Sequence, residues 1–354
     1  MKKILAILTL FVLFVSCESE IQNLKIENPS ASIVVYGELT NGVGPYTVTI
    51  NRVNAYSPYD VSEFSGKPIK NAEVKIIDGN GKTQTLKEKR AGVYETDTLF
   101  RGVVNQTYKL AIKTQDGLVV ESSVEKITKS PVLDEFSYNF VDAEKVEDMR
   151  FDLKATIKDP SETTDYYYIK RQDFIQFLTT CPEPPPPPAP VPVCYSKCWR
   201  APLNTQPMFV EDFLVNGKNI PLKLKAVEAT DYTDWVVQLN VYSVSKALSE
   251  FWKRQEEQRT IGGGLFDKIP AQILGNLQCI NKPELQVLGV FMVGGVTKKR
   301  LTIGRFQSFS LENYKKVAFY TDFHDVRFKK LKLWDCNCAA FVDYNIGYYL
   351  PPIF

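Results

Sequence analysis

The chain has 354 residues, 44% of them hydrophobic and 24% charged, which excludes both a lone small module and a disordered polymer. Its 43 Lys and Arg against 41 Asp and Glu leave no basic excess to draw it to nucleic acid, and none is expected as a partner. With 18 Tyr, 21 Phe and 21 Pro the mix favours strands and loops over helical bundles, and the single histidine removes most histidine-based metal sites.

Residues 1–16 form a leader. Met1-Lys2-Lys3 precedes an apolar run, Ile4 to Val15, interrupted only by Thr9. Spanning a bilayer takes ~20 apolar residues, so this run is too short for a permanent helix. Two lysines before a short apolar core are the pattern of a secretory signal peptide. The run ends Phe14-Val15-Ser16-Cys17, which resembles a bacterial lipobox, with Phe14 where Leu is more usual. In that class the peptide is cut before the cysteine, and Cys17 would carry acyl chains on its thiol and its new amino terminus. Each buried methylene contributes about 0.8 kcal/mol, so several chains anchor firmly. Loss of the leader removes Lys2 and Lys3 and brings Lys and Arg from 43 to 41, equal to the 41 acidic residues. Glu18-Ser19-Glu20 resembles the surface-export signal of Bacteroidota lipoproteins. Residues 17–30 are therefore expected to be a lipidated tether, and the protein to sit lipid-anchored in the outer membrane, on the cell surface.

From residue 31 the apolar positions alternate with period two. Ser32-Ile33-Val34-Val35-Tyr36 is one apolar run, and Tyr46, Val48 and Ile50, then Ala72, Val74 and Ile76 alternate; each predicts a strand. Asp78-Gly79-Asn80-Gly81 supplies a hairpin turn. Its oxygens could hold calcium, but the liganding Glu that closes an EF-hand loop is missing. Val93-Tyr94, Tyr108 to Ile112 and Val119 to Ser123 continue the series. Short strands at this spacing predict an antiparallel β-sandwich over residues 31–130, ending near Ser130-Pro131.

Residues 131–354 predict a second β-rich domain. Phe151, Leu153, Ala155 and Ile157 alternate, and Tyr166 to Ile169 follows the Asp159-Pro160 turn. Trp235, Val237, Leu239 and Val241 alternate again. One amphipathic helix is expected, capped by Ser245, with Leu248, Phe251 and Trp252 on one face and Gly262-Gly263-Gly264 at its end. Val287 to Val293, Leu301 to Ile303 and Val317 to Tyr320 predict further strands. Within this domain residues 181–198 form a proline-rich loop, with polyproline II at Pro184 to Pro188. A stiff surface insertion explains it more simply than a docking ligand.

With Cys17 lipidated, Cys181, Cys194, Cys198, Cys279, Cys336 and Cys338 remain. An even number in an oxidising compartment predicts disulfides, with fifteen pairings open. Twelve residues separate Cys181 from Cys194. As straight polyproline II they would span roughly 35–40 Å at about 3.1 Å each, whereas a bridge needs Cα atoms within about 7 Å. That pair needs a sharp bend. Cys336 and Cys338 are too close to bridge each other in extended chain. They are expected to be stapled to Cys198, Cys279 or the proline loop. Zinc on Cys194, Cys198, Cys336 and Cys338 is the rival, but neither spacing is Cys-x-x-Cys and exported thiols oxidise.

No catalytic residue emerges. His324 in Asp322-Phe323-His324-Asp325 has no serine elbow to serve, and no phosphate-cradling or dinucleotide fingerprint is present. Glycosidase carboxylate pairs carry no local signature. No cofactor and no metal is expected, and the ligand is unknown.

The order of motifs points to a family. Val34-Val35-Tyr36-Gly37-Glu38-Leu39-Thr40 is followed by Gly44-Pro45-Tyr46-Thr47-Val48, Asn71-Ala72-Glu73-Val74, Gly92-Val93-Tyr94 and Thr107-Tyr108-Lys109-Leu110. Leu265-Phe266, Gly275-Asn276, Val287-Leu288-Gly289-Val290-Phe291 and Lys299-Arg300 come next, with Cys336-Asn337-Cys338 near Pro351-Pro352-Ile353-Phe354. This order resembles the Bacteroidota outer-membrane lipoproteins grouped as domain-of-unknown-function family 4249. The terminus lacks the family's Phe-Trp ending, and the proline loop is a private insertion. The resemblance implies an immunoglobulin-like or prealbumin-like first domain and no enzymatic activity. It also implies an accessory role beside a TonB-dependent receptor or another outer-membrane β-barrel machine. The alternative is a surface glycan-binding protein or carbohydrate-active enzyme, with Tyr166, Tyr167, Tyr168 and Trp199 stacking on sugars.

Overall fold

The computed structural model describes residues 33–53, 66–178, 197–201, 207–230, 233–259, 273–324 and 345–347. In the first block the strands are β1 (Ile33–Thr40), β2 (Thr47–Arg52), β3 (Lys67–Pro68), β4 (Glu73–Asp78), β5 (Thr83–Thr85), β6 (Lys87–Arg90), β7 (Val93–Glu95), β8 (Thr107–Lys113), β9 (Val119–Ser122) and β10 (Glu125–Lys126). In the second they are β11 (Val132–Val141), β12 (Arg150–Lys158), β13 (Tyr166–Leu178), β14 (Lys197–Ala201), β15 (Met208–Glu211), β16 (Asn219–Pro221), β17 (Val227–Glu228), β18 (Trp235–Val244), β19 (Leu277–Cys279), β20 (Val287–Ile303) and β21 (Asn345–Gly347). The helices are α1 (Lys246–Arg259), α2 (Arg305–Ser308) and α3 (Leu311–His324). The chain is mainly β, as expected.

Alternation builds the first sandwich. Val74 and Ile76 of β4, with Tyr108, Leu110 and Ile112 of β8, turn inward and are buried, while the residues between them are not. At the β4–β5 turn the Asp78 carboxylate accepts from the Asn80 and Lys82 amides at 2.9 and 2.8 Å. Gly81 takes φ +83°. This is a hairpin turn closed by its own aspartate.

β20 joins the two blocks. It runs unbroken for 17 residues, where the sequence suggested two separate strands. Its first half pairs parallel with β1, from Ile33 opposite Val287 to Thr40 opposite Gly294. Its second half pairs antiparallel with β18, from Ser243 opposite Gly295 to Trp235 opposite Ile303. An eleven-stranded sheet results, ordered β21-β14-β13-β18-β20-β1-β2-β7-β6, with β3 and β15 beside it. Gly289 permits the parallel pairing. It sits at φ +91°, and a Cβ there would fall 2.0 Å from the Val35 carbonyl oxygen.

Side-chain parity along β20 explains the layers. Phe291 and Val293 enter one core with the six-stranded sheet β19-β9-β8-β4-β5 and its companion β10. Leu301 and Ile303, of the same parity, enter the core under the sheet β11-β12-β16 with β17. Val290, Met292 and Val296, of the opposite parity, lie under α1. Two smaller sheets thus share one face of the long sheet, and a helix covers the other. The boundary near residue 130 ends the first run of strands but not the first core. Leu277, Cys279, Val287, Phe291 and Val293 return from the second block to complete it.

α1 forms as the sequence requires. The Leu248 amide donates to Ser245 Oγ at 3.4 Å, and Leu248 and Phe251 are buried. The strand expected at Val317 to Tyr320 is instead part of α3. Ser310 caps it, accepting from the Asn313 amide at 3.1 Å. Tyr314 and Val317, three apart, pack into the core beneath β12. A β-branched residue in a short apolar run suggested a strand; the cap and the helical spacing prevail.

Candidate functional site

The residues singled out by the sequence do not converge. Cys17, Cys181, Cys194, Cys336 and Cys338 lie outside the described residues, as do most of the proline loop and Gly262 to Gly264. Cys198 lies in β14, its backbone opposite Phe177 of β13. Cys279 does not staple the C-terminal tail. It is a free thiol, buried in the first sandwich on β19, opposite Val120 of β9. Its Sγ lies 3.4 Å from Asn281 Oδ1. Because its strand is paired to the first block, the thiol serves as a small apolar core residue. His324 is the last residue of α3. Of the aromatic residues proposed to meet sugars, Tyr167 and Tyr168 are buried, and Trp199 packs on Phe174, Ala201 and Val236.

What the fold does assemble is a groove beside α1. Its walls come from Val34 and Tyr36 of β1, Leu288 of β20, and Trp252, Gln255 and Arg259 of α1; its volume is about 710 Å³. The polar side of α1 is left at the rim because Leu248 and Phe251 turn into the sheet. Tyr36 is 42% exposed, and its hydroxyl accepts from Gln255 Nε2 at 3.4 Å.

An aromatic stack underlies the groove. The Tyr168 ring is nearly parallel to that of Trp252, centroids 5.2 Å apart and planes 5° apart, and it also stacks on Phe209 at 5.4 Å. Two residues along β13 on the same face, Lys170 holds its ammonium 5.2 Å from the Tyr168 centroid, 5.5 Å from that of Tyr242 and 5.7 Å from that of Trp252. A cation over three ring faces, with Glu38 at 4.0 Å, locks this floor electrostatically. Burial lifts the Tyr168 and Tyr242 hydroxyls above their usual range, and the Glu38 carboxylate adds to it. Both phenols stay neutral, so the charge in the floor is that of the Lys170–Glu38 pair, and the rim is polar. Such a groove can hold an extended peptide or a ring-bearing ligand.

A second cleft, about 430 Å³, contains Arg171, Asp173, Glu228 and Trp235. There Arg171 grips Asp173 with two bonds of 2.7 and 2.8 Å, and both side chains are nearly buried. That carboxylate is committed to its arginine. No local sequence signal could have disclosed the groove, because its walls come from segments more than two hundred residues apart.

The family profile described as Domain of unknown function (DUF4249) matches residues 19–300. No curated protein matches the sequence.

Proposed function

The chain belongs to the DUF4249 family, and on that premise we propose that it is a lipid-anchored, non-enzymatic accessory protein of the outer membrane. Cys17 carries the anchor. The groove beside α1 receives an extended segment of an outer-membrane β-barrel partner, such as a TonB-dependent transporter. The observation that carries this reading is the position of the groove along the chain. Its wall begins at Val34, seventeen residues after Cys17. Extended chain spans at most ~3.3–3.6 Å per residue, so the groove lies within roughly 60 Å of the anchoring lipid. A site so tethered meets membrane-resident partners at high effective concentration.

The test is purification of the full chain in mild detergent. A β-barrel protein should accompany it, and Tyr36→Ala with Gln255→Ala should weaken that association without unfolding either core. Recovery of the lipoprotein alone from repeated preparations counts against the proposal. The exposed Tyr36 ring favours a second reading, a surface glycan-binding protein. Oligosaccharide titration that quenches Trp252 fluorescence, and loses that response in Tyr36→Ala, would favour it.

A further inference from the structure

Three aspartates converge where the two blocks meet. Asp159 closes β12, Asp165 precedes β13, and Asp212 opens the 3-10 turn Asp212–Leu214 after β15. One carboxylate oxygen from each lies within 4.8 Å of the other two. Asp159 and Asp212 are buried, at 5% and 0% exposure.

The hydrogen bonds around them leave one vacancy. Asp159 accepts from the Tyr167 hydroxyl at 2.6 Å and the Gly217 amide at 2.9 Å. Asp165 accepts from Thr163 Oγ1 at 2.6 Å and Ser243 Oγ at 3.5 Å. Asp212 Oδ2 accepts from the Asp165 amide at 2.8 Å. Asp212 Oδ1 is buried and unpartnered. A buried carboxylate oxygen without a partner is costly, and two neighbouring carboxylates make it costlier. Lys126, Lys129 and Lys158 line the adjoining cleft of about 410 Å³, yet among the described residues none is ion-paired to the three aspartates.

We propose that Asp159, Asp165 and Asp212 bind a divalent cation, calcium being the ion that suits an irregular set of oxygens. Calcium bonds oxygen at about 2.3–2.6 Å in flexible geometry, whereas magnesium demands near-ideal octahedral geometry at about 2.0–2.1 Å. Calcium also tolerates irregular all-oxygen shells completed by carbonyls and water. The cation would tie the β12–β13 connection to the turn after β15, beside residues 126–132 where the chain crosses between blocks. The carboxylates come from two turns 47 residues apart, so no motif of the EF-hand kind announces them.

The test uses the purified full chain. Calcium titrated calorimetrically into chelator-stripped protein should bind at one site per chain. Chelation should lower the melting temperature by about 5 °C or more, the shift expected on losing a ligand held well above its Kd. Terbium in the site should luminesce on tyrosine excitation, because Tyr167 touches Asp159, and calcium should displace it. Asp212→Asn and, should that variant not fold, Asp165→Asn should weaken calcium binding at least tenfold. Absence of heat and of any thermal shift in the wild-type chain at millimolar calcium would overturn the proposal, as would preference for magnesium. Greater stability of Asp212→Asn than of a calcium-indifferent wild type would assign the vacancy to a shared proton instead.

Discussion

Phe291→Ala tests whether the two blocks share one core. Phe291 lies on β20, in the block that a boundary near residue 130 would place outside the first sandwich. Yet it is 0% exposed among Ile33, Val35, Val48, Ile76 and Leu110. Its Cδ2 lies 3.0 Å from where a Cβ on Gly37 would sit, so the ring roofs that glycine. Its amide and carbonyl are both held by the Asn276 side chain at 2.9 Å, which fixes the backbone and limits collapse into the space left behind. Phe-to-Ala substitutions in cores cost about 3–5 kcal/mol, more where the site cannot relax. The upper half of that range applies here. At about 2–4 °C per kcal/mol for large domains, the melting temperature should fall by roughly 8–20 °C. Hydrogen exchange locates the damage: amides of Ile76 on β4 and Leu110 on β8 should lose protection along with those of β20. Unchanged protection at Ile76 and Leu110, with loss confined to β13 and β18, would refute the shared core.

Cys17→Ala should release the protein from the membrane fraction, measured by fractionation and by loss of acyl mass; a variant that stays membrane-bound contradicts the anchor. Ser310→Ala should cost about 0.5–2 kcal/mol in denaturant unfolding, because it removes the cap of α3, whereas a strand at that position would make the change nearly neutral. Under non-reducing peptide mapping, Cys279 should be recovered as a free thiol, unreactive until the protein unfolds.

Local patterns determined what depends on nearest neighbours along the chain. Period-two alternation located β2, β4, β8 and β12, because a half-buried strand exposes every second side chain, and the same spacing located β18 although it is buried on both faces. The Asp78 turn and the Ser245 cap were legible for the same reason: each is closed by atoms within a few residues. The family's order of motifs, too, is a property of the sequence alone. Tertiary structure decided the rest. β20 is buried on both faces through Val296, so its run of apolar residues carries no phase to reveal which face meets which layer. Its parallel partner, β1, lies some 250 residues away, and that one pairing draws Phe291 and Val293 into the first core and raises the groove beside α1. α3 was missed because a single Val in a short apolar run fits either period. The three aspartates were invisible as a group, since 41 acidic residues offer many triples and only the folded chain brings Asp212 against Asp159 and Asp165.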